Sequence, residues 1–235
     1  MSDSPAPLQF EYHTTRVLPE VGRHLKQDIG VVQGDRSPLA EAFKMLRNQV
    51  LLRLRADGHR VLAVTSPRAT AGKSLAALNL ALAIAADYDS TALLIDADLG
   101  GQGLQRRLGL HQALGLGDHL ARDVPLPELL VNPGIARFVF LPAGSRAVVH
   151  SAETLSTRTL QALVQAMKSR YPDRYLVVDL PPALDTADAL AFLPQADTTL
   201  LVVEAHGTAI ADLEQLAELL APFPLIGTVL SPPAA

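Results

Sequence analysis

The tripeptide Gly72-Lys73-Ser74 contains the residue types that point most directly to chemistry. It follows a short apolar run, residues 60–66, and opens an apolar stretch of helical length, residues 72–87. A helix that begins here presents backbone N–H groups and the positive end of its dipole to an anion, and lysine adds a positive charge. These features predict a phosphate-binding loop, in which the Ser74 hydroxyl would also reach a magnesium ion.

Carboxylates stand at the ends of two further apolar runs. Asp96 and Asp98 close the run 91–98, and Asp179 lies near the end of the run 174–180. If these runs are parallel strands, their carboxyl ends meet at one edge of the sheet, where such sheets bind ligands. A lysine, a hydroxyl and carboxylates at that edge are the groups that hold a magnesium nucleotide. The sequence therefore predicts a site for ATP and Mg²⁺.

The order of the apolar runs predicts an α/β fold with a doubly wound, mostly parallel sheet. Strand-like runs alternate with stretches long enough to form helical crossovers between parallel strands. Residues 1–36 are polar and interrupted by Pro and Gly, so we expect an N-terminal extension there and one P-loop domain over residues 37–235. The predicted strands are 60–66, 91–98, 136–142, 174–180, 198–204 and 225–231, and the predicted helices are 37–58, 72–87, 154–170, 184–194 and 208–221.

Composition and charge argue against several classes of partner. The net charge of −4 gives no general attraction to nucleic acid or anionic lipid, so we expect no nucleic-acid partner. No apolar run approaches the roughly 20 residues that cross a bilayer, and the N-terminus lacks the pattern of a secretion signal. The chain has no cysteine, which is compatible with the cytoplasmic location that we predict.

In their order along the chain, six segments resemble the cytoplasmic bacterial tyrosine kinases of capsule and exopolysaccharide loci, the CpsD/CapB family. The likeness is greatest to the autokinases that accompany exosortase-type exopolysaccharide loci, and it runs from about residue 37 to 231. It implies a P-loop NTPase of the deviant Walker, partitioning-ATPase-like superfamily that transfers the γ-phosphoryl group of ATP to tyrosine. The segments are SPLAEAFKMLR, TSPRATAGKS, LLIDADL, LPAGSRAVVHSAETL, YPDRYLVVDLPP and ADTTLLVVEA.

The resemblance assigns a role to each residue of the predicted site. Lys73, Asp96 and Asp98 would be the catalytic residues, with Asp96 near the incoming hydroxyl as a base or an orienting group. The metal would be held by Ser74, Asp96 and Asp179, the last acting through water as the Walker B carboxylate. The nucleotide would lie on the loop made by Arg68, Ala69, Thr70, Ala71, Gly72, Lys73, Ser74 and Leu75.

The resemblance also implies partners. Glu41, Lys44 and Arg47 fall on the family's Glu-x-x-Arg-x-x-Arg helix, with Lys for the first Arg, and would dock onto a second copy in a ring or a dimer. An alternative for the same three residues is a ladder of salt bridges within one helix. The family further implies activation by the cytoplasmic segment of a membrane polysaccharide chain-length regulator, which would recruit the chain to the inner membrane.

Several residues depart from the family pattern. The loop reads Ala69-Thr70-Ala71 where the family usually has Pro-Gly-Glu, and a β-branched Thr resists the positive φ that Gly allows. Gly100 and Gln102 stand where the family has an Arg and a Pro, and the C-terminal tyrosine cluster is missing. Two alternatives therefore stand beside the kinase: a catalytically degenerate, nucleotide-binding regulatory scaffold of the polysaccharide machinery, and a partitioning-type ATPase. Arg68 occupies the position of the extra signature lysine of those ATPases.

Overall fold

Eight strands of the described chain form one sheet. The computed structural model describes residues 16–25, 36–69 and 72–232, so Thr70 and Ala71 of the predicted loop lie outside the described residues. The strands are β1 (Arg16–Val17), β2 (Val61–Thr65), β3 (Thr91–Asp96), β4 (Val131–Asn132), β5 (Phe138–Leu141), β6 (Arg174–Asp179), β7 (Thr198–Glu204) and β8 (Leu225–Ser231).

The strands lie in the order β1-β4-β5-β3-β6-β2-β7-β8. Neighbouring strands are parallel except β4 and β5, which are antiparallel. The predicted doubly wound, mostly parallel fold is therefore confirmed. All six predicted strands are present: 198–204 and 225–231 match the bounds of β7 and β8, and the other four differ only at their ends.

Helices connect the strands and cover both faces of the sheet. They are α1 (Pro19–His24), α2 (Pro38–Asp57), α3 (Lys73–Ala85), α4 (Gly103–Arg107), α5 (Leu116–Arg122), α6 (Leu126–Leu129), α7 (Ser151–Leu155), α8 (Arg158–Arg170), α9 (Asp188–Phe192) and α10 (Ile210–Leu220). A 3-10 turn at Leu193–Gln195 follows α9. The predicted helix 154–170 is two helices, because the Thr157 hydroxyl accepts the Leu160 N–H and caps a new helix that starts at Arg158.

The longest helix, α2, has clear signals at both ends. The Ser37 hydroxyl accepts a hydrogen bond from the Ala40 N–H, and Pro38 occupies the first helical position. The helix stops where Gly58 takes a left-handed conformation with a φ of 67°. Val50 and Leu54 of this helix are buried, whereas Leu39 near its start is 55% exposed.

Two apolar layers enclose the sheet. Side chains from α2 and α3 pack on one face, around Val64 and Leu94. Side chains from α8, α9 and α10 pack on the other face, around Ala63 and Leu93. Alternate residues of one strand thus enter opposite layers, which explains why the strands read as continuous apolar runs. The sheet is rigidly held from both sides, and its carboxyl edge carries the polar residues.

Part of the segment that we predicted to be an extension contributes to the fold. Arg16–Val17 pairs with Val131–Asn132 at the edge of the sheet, and Val21 and Leu25 are buried with the first apolar layer. A Cβ on Gly22 would lie 2.1 Å from the Pro133 carbonyl oxygen, so the helix packs there through bare backbone. The domain boundary at residue 37 stays a prediction.

Among the described residues, no helix is both long enough and apolar enough to cross a membrane.

Candidate functional site

Lys73 and Asp179 form a buried ion pair at the carboxyl edge of the sheet. Lys73 is the first residue of α3, and Asp179 is the last residue of β6, which pairs with β2. The Lys73 Nζ lies 2.5 Å from Asp179 Oδ1 and 3.2 Å from Ser74 Oγ. The exposed fractions of Lys73 and Asp179 are 5% and 1%, so each charge depends on the other for compensation.

Asp96 lies directly opposite Asp179 in the sheet. The two residues are paired across β3 and β6, and Asp96 is completely buried. Its Oδ1 accepts the Asp98 N–H at 3.2 Å, and its Oδ2 accepts the Gln105 N–H at 3.0 Å. Burial, together with the charges of Asp179 and Asp98, holds the pKa of the Asp96 carboxyl well above its usual range. With both oxygens bound to backbone, Asp96 is fixed in orientation.

Asp98 is the less buried carboxylate of the acidic pair. Its Oδ1 accepts the Gly101 N–H at 2.8 Å. A Cβ on Gly101 would lie 2.4 Å from Asp98 Oδ2, so only glycine allows the backbone to approach the carboxylate this closely. Burial raises the pKa of the Asp98 carboxyl, and the positive charge of Lys73 opposes that rise. Asp98 and Lys73 therefore share one electrostatic environment.

A buried network behind the site involves residues that no sequence pattern predicted. The Gln105 side chain donates to the Gly144 carbonyl at 2.8 Å and accepts the Gly144 N–H at 3.1 Å, while the Gln102 amide donates to the same carbonyl at 2.8 Å. Asp118 then binds the Ser145 N–H and hydroxyl. Because the Gln105 N–H also binds Asp96, this network fixes the orientation of that carboxylate.

Gln102 explains one departure from the family pattern. It has a φ of 53°, in the left-handed region. A proline, which the family has here, is locked near a φ of about −65° and cannot adopt this conformation. The turn between Asp98 and α4 therefore has a different backbone path in this chain, and it is the turn that presents the Gly101 N–H to Asp98.

Arg68 pairs with two carboxylates that are not part of the ion pair of Lys73 and Asp179. Its guanidinium lies 3.0 Å from Asp185 Oδ1 and 3.0 Å from Asp212 Oδ1, and it is half exposed. Asp185 also accepts the Ala69 N–H at 2.9 Å. These contacts hold Arg68 and Ala69, at the start of the loop, against the segment after β6 and the first turn of α10. Leu75 lies on α3 and is half-buried.

The predicted oligomerisation residues lie along α2. Lys44 Nζ is 2.7 Å from Glu41 Oε1, which is the intrahelical salt bridge of the alternative interpretation. Arg47 instead reaches the Ala83 carbonyl of α3 at 3.3 Å and the Asn48 side chain. The assembly role of these three residues stays a prediction.

The donor set at this edge of the sheet suits a magnesium nucleotide. The described residues contain no group of three or more metal-ligating His, Cys, Asp or Glu side chains. Magnesium usually takes one or two carboxylates, and substrate phosphates with water complete its shell. Ser74 and Asp179 meet at Lys73 and offer hard oxygens of that kind. The residues present therefore fit Mg²⁺ brought in with a nucleotide.

Comparison with protein families places the chain among the P-loop NTPases. A family model described as "ParA: NUBPL iron-transfer P-loop NTPase" matches residues 58–227. This range includes β2, the loop, the carboxylates Asp96, Asp98 and Asp179, and β7. The match covers more than half of the chain.

Curated relatives include proteins of exopolysaccharide systems. The succinoglycan biosynthesis transport protein ExoP of Rhizobium meliloti is 33% identical over 176 residues, 74% of this chain and 22% of ExoP. The tyrosine-protein kinase wzc of Salmonella typhimurium is 28% identical over 193 residues, 82% of this chain and 26% of wzc. The antiactivator FleN of Pseudomonas aeruginosa is 34% identical over 163 residues, 68% of this chain and 56% of FleN. The chain thus spans about a quarter of the length of ExoP and wzc.

Solved structures agree with the sequence relatives. The VpsO kinase domain superposes with a TM-score of 0.74 at 25% identity, over 83% of this chain and 96% of that domain. The septum site-determining protein MinD of Pyrococcus horikoshii, solved with Mg-ADP, has a TM-score of 0.60 at 24% identity, over 73% of this chain and 69% of MinD; it supports the fold alone. The resemblance to bacterial tyrosine kinases of exopolysaccharide loci is confirmed by these relatives and neighbours. The chain belongs to the ParA family of P-loop NTPases.

Proposed function

We propose that this chain is an ATP-dependent protein tyrosine kinase, or the kinase domain of one, that regulates exopolysaccharide biosynthesis and export. The observation that carries the proposal is the meeting of Lys73, Ser74, Asp96, Asp98 and Asp179 at one edge of the sheet. Kinase and exopolysaccharide proteins are among the relatives of the chain.

In this proposal each residue of the site has its own role. Lys73 binds the phosphate oxygens, and Ser74 and Asp179 hold Mg²⁺, which when bound neutralises charge on the transferring phosphoryl group. Asp98, the less buried carboxylate with a raised pKa, accepts the proton of the tyrosine hydroxyl. Asp96, whose two oxygens are held by backbone N–H groups, orients the site beside the metal.

The partners follow from the same proposal. The regulator would be the cytoplasmic segment of a membrane polysaccharide chain-length protein, which would bring the chain to the inner membrane. Glu41, Lys44 and Arg47 would contact a second copy in a ring or a dimer. Support comes from the similarity to ExoP, which is named a succinoglycan biosynthesis transport protein, and to the tyrosine-protein kinase wzc.

A second candidate is an ATPase that releases phosphate without transferring it to tyrosine. The similarity to FleN, at 34% identity, favours it. Arg68 also favours it, because it places a cation at the position of the signature lysine of the partitioning ATPases.

The two candidates differ in where the phosphate goes. Purified protein is incubated with γ-labelled ATP, Mg²⁺ and a synthetic Glu-Tyr copolymer, with and without a candidate activator segment. The kinase labels tyrosine, whereas the ATPase releases labelled phosphate and leaves tyrosine unlabelled. Nucleotide binding without either product would overturn both and identify a regulatory scaffold.

A further inference from the structure

Tyr88 projects from a short, well-anchored turn between α3 and β3. Its exposed fraction is 88%, which is unusual for a large aromatic side chain. The preceding residue, Asp87, is held by Arg55 at 2.7 Å and by the Ser90 hydroxyl at 3.0 Å. The contacts of Asp87 therefore anchor the turn, while the Tyr88 side chain extends into solvent.

The other described tyrosines are placed differently. Tyr175 lies on β6 and is 8% exposed. Tyr171 is half-buried, and the Arg174 guanidinium stacks 3.9 Å from its ring centroid. Tyr12 lies outside the described residues. Among the described tyrosines, Tyr88 has the most exposed side chain and is therefore the most accessible to another protein molecule.

Three arginines, Arg47 and Arg55 of α2 and Arg137 just before β5, lie near the end of α3, next to this turn. Arg47 donates to the Ala83 carbonyl at 3.3 Å, Arg137 donates to the Ala85 carbonyl at 3.0 Å, and Arg55 pairs with Asp87. The Arg137 guanidinium also lies 5.5 Å from the Tyr88 ring centroid. Guanidinium groups are strong partners for phosphate oxygens.

Arg137 reaches this place through an uncommon backbone conformation. Its φ is 62°, in the left-handed region that arginine rarely adopts. Such a conformation persists only where the surroundings hold it, and here it aims a cation at the turn. A phosphate on Tyr88 would add a charge of about −1.5 to −2 beside these arginines.

Tyr88 cannot be reached by the active site of its own chain. It precedes β3, whereas Asp96 and Asp98 lie at the other end of that strand. The six residues of β3 separate the two ends by about 20 Å at a rise of roughly 3.3 Å per residue. A phosphoryl group must therefore come from a different molecule.

We propose that Tyr88 is a phosphorylation site of this chain, modified in trans by a second copy. The Tyr88 Oη attacks the γ-phosphorus of ATP held by that copy and forms a phosphoester bond. The bond between the γ-phosphorus and the bridging oxygen breaks, and ADP leaves with the electron pair. The phenolic proton passes to Asp98 of the donor copy and then to water. This inference rests on the proposed kinase function, and Arg137 is the expected partner of the new phosphate.

The test mixes a donor that cannot be modified with an acceptor that cannot catalyse. The donor is Tyr88→Phe, and the acceptor is Lys73→Ala, which carries an affinity tag. Because Lys73→Ala leaves the buried Asp179 carboxylate unpaired and can unfold, Asp98→Asn serves as a second acceptor. After incubation with γ-labelled ATP and Mg²⁺, the acceptor is recovered and its labelled peptide is identified by mass spectrometry.

We expect label on Tyr88 of the acceptor, loss of that label when the acceptor also carries Tyr88→Phe, and retention when it carries Tyr171→Phe. The Glu-Tyr copolymer, assayed in parallel, reports the kinase function itself. Copolymer labelling without label on acceptor Tyr88 would overturn this inference and leave the function standing. No labelling of copolymer or chain would overturn both. Tyr88 label in the active wild-type chain but not in either acceptor would overturn transfer in trans.

Discussion

At the scale of single residues, Asp98 is a carboxylate whose charge the fold tolerates poorly. Burial raises its pKa above the ordinary value of 3.8. Asparagine keeps an oxygen for the Gly101 N–H while removing the charge. We therefore expect Asp98→Asn to raise the free energy of unfolding at pH 7 by roughly 0.5–1 kcal/mol, and to abolish phosphoryl transfer.

The pH dependence of this gain tests its cause. A carboxyl whose folded pKa is raised costs no stability below its unfolded pKa of 3.8, and the cost grows as the pH rises until the folded pKa is passed. The gain from Asp98→Asn should therefore vanish toward acid pH and be complete at neutral pH. Thermal melts across this range measure it, with Asp89→Asn, on an exposed residue, as the control. An equal gain in stability at every pH would show that the charge of Asp98 is not its cause.

Gly101 has a role that its neighbour Gly100 does not share. A Cβ on Gly101 would lie 2.4 Å from Asp98 Oδ2, whereas a Cβ on Gly100 would meet nothing within 4 Å. Gly101→Ala should therefore turn the carboxylate out of place and lower the transfer rate on the order of 10-fold to 100-fold. Gly100→Ala should leave the rate unchanged. Equal rates for the two variants would show that the position of Asp98 is not critical.

At the scale of elements, the start of the loop depends on the segment that follows β6. Asp185 holds both the Ala69 N–H and Arg68, whereas Asp212 on α10 holds Arg68 alone. If the backbone contact shapes the loop, Asp185→Ala should weaken nucleotide binding by about tenfold, the value of one backbone hydrogen bond to a charged group. Asp212→Ala should change it much less. Calorimetric titration with an ATP analogue and Mg²⁺ measures both, and equal losses would contradict the backbone role.

The elements were predictable to different degrees. Long apolar runs such as residues 174–180 and 198–204 predicted their strands, because a strand that is buried on both faces consists almost entirely of apolar residues. The strand Val131–Asn132 and the helix Leu126–Leu129 are too short for any periodicity to appear. They exist because the sheet and the apolar layer beneath them hold them in place.

The site shows the same division. Lys73, Asp96 and Asp179 were predicted from strand ends and the Gly-Lys-Ser motif, which obey general rules of parallel sheets. Gln105 was not predicted, because a single glutamine has no local signal and acquires its role only when Gly144 packs against it. The nucleotide contact of Arg68 stays a prediction, and its ion pairs with Asp185 and Asp212 could not be predicted because they depend on the tertiary fold.

At the scale of the whole molecule, residues 16–25 pack against the sheet and its first apolar layer. Leu25 is completely buried in the layer formed with α2 and α3, whereas Leu39 on α2 is 55% exposed. Leu25→Ala should lower the free energy of unfolding by about 2–5 kcal/mol, as expected for a core leucine. Leu39→Ala should change it by less than about 0.5 kcal/mol. Denaturant unfolding measures the change in the free energy of unfolding for both variants. A small change for Leu25→Ala would support a separable extension.

Transfer of the γ-phosphoryl group of ATP to tyrosine by the predicted site is the decisive property of the proposed kinase. Wild type, Asp98→Asn and Lys73→Ala are compared for label on a Glu-Tyr copolymer, with circular dichroism to verify that each is folded. The proposed kinase function predicts labelled tyrosine with the wild type and none with either folded variant. Labelled phosphate released into solution by the wild type, with no label on tyrosine, would contradict it.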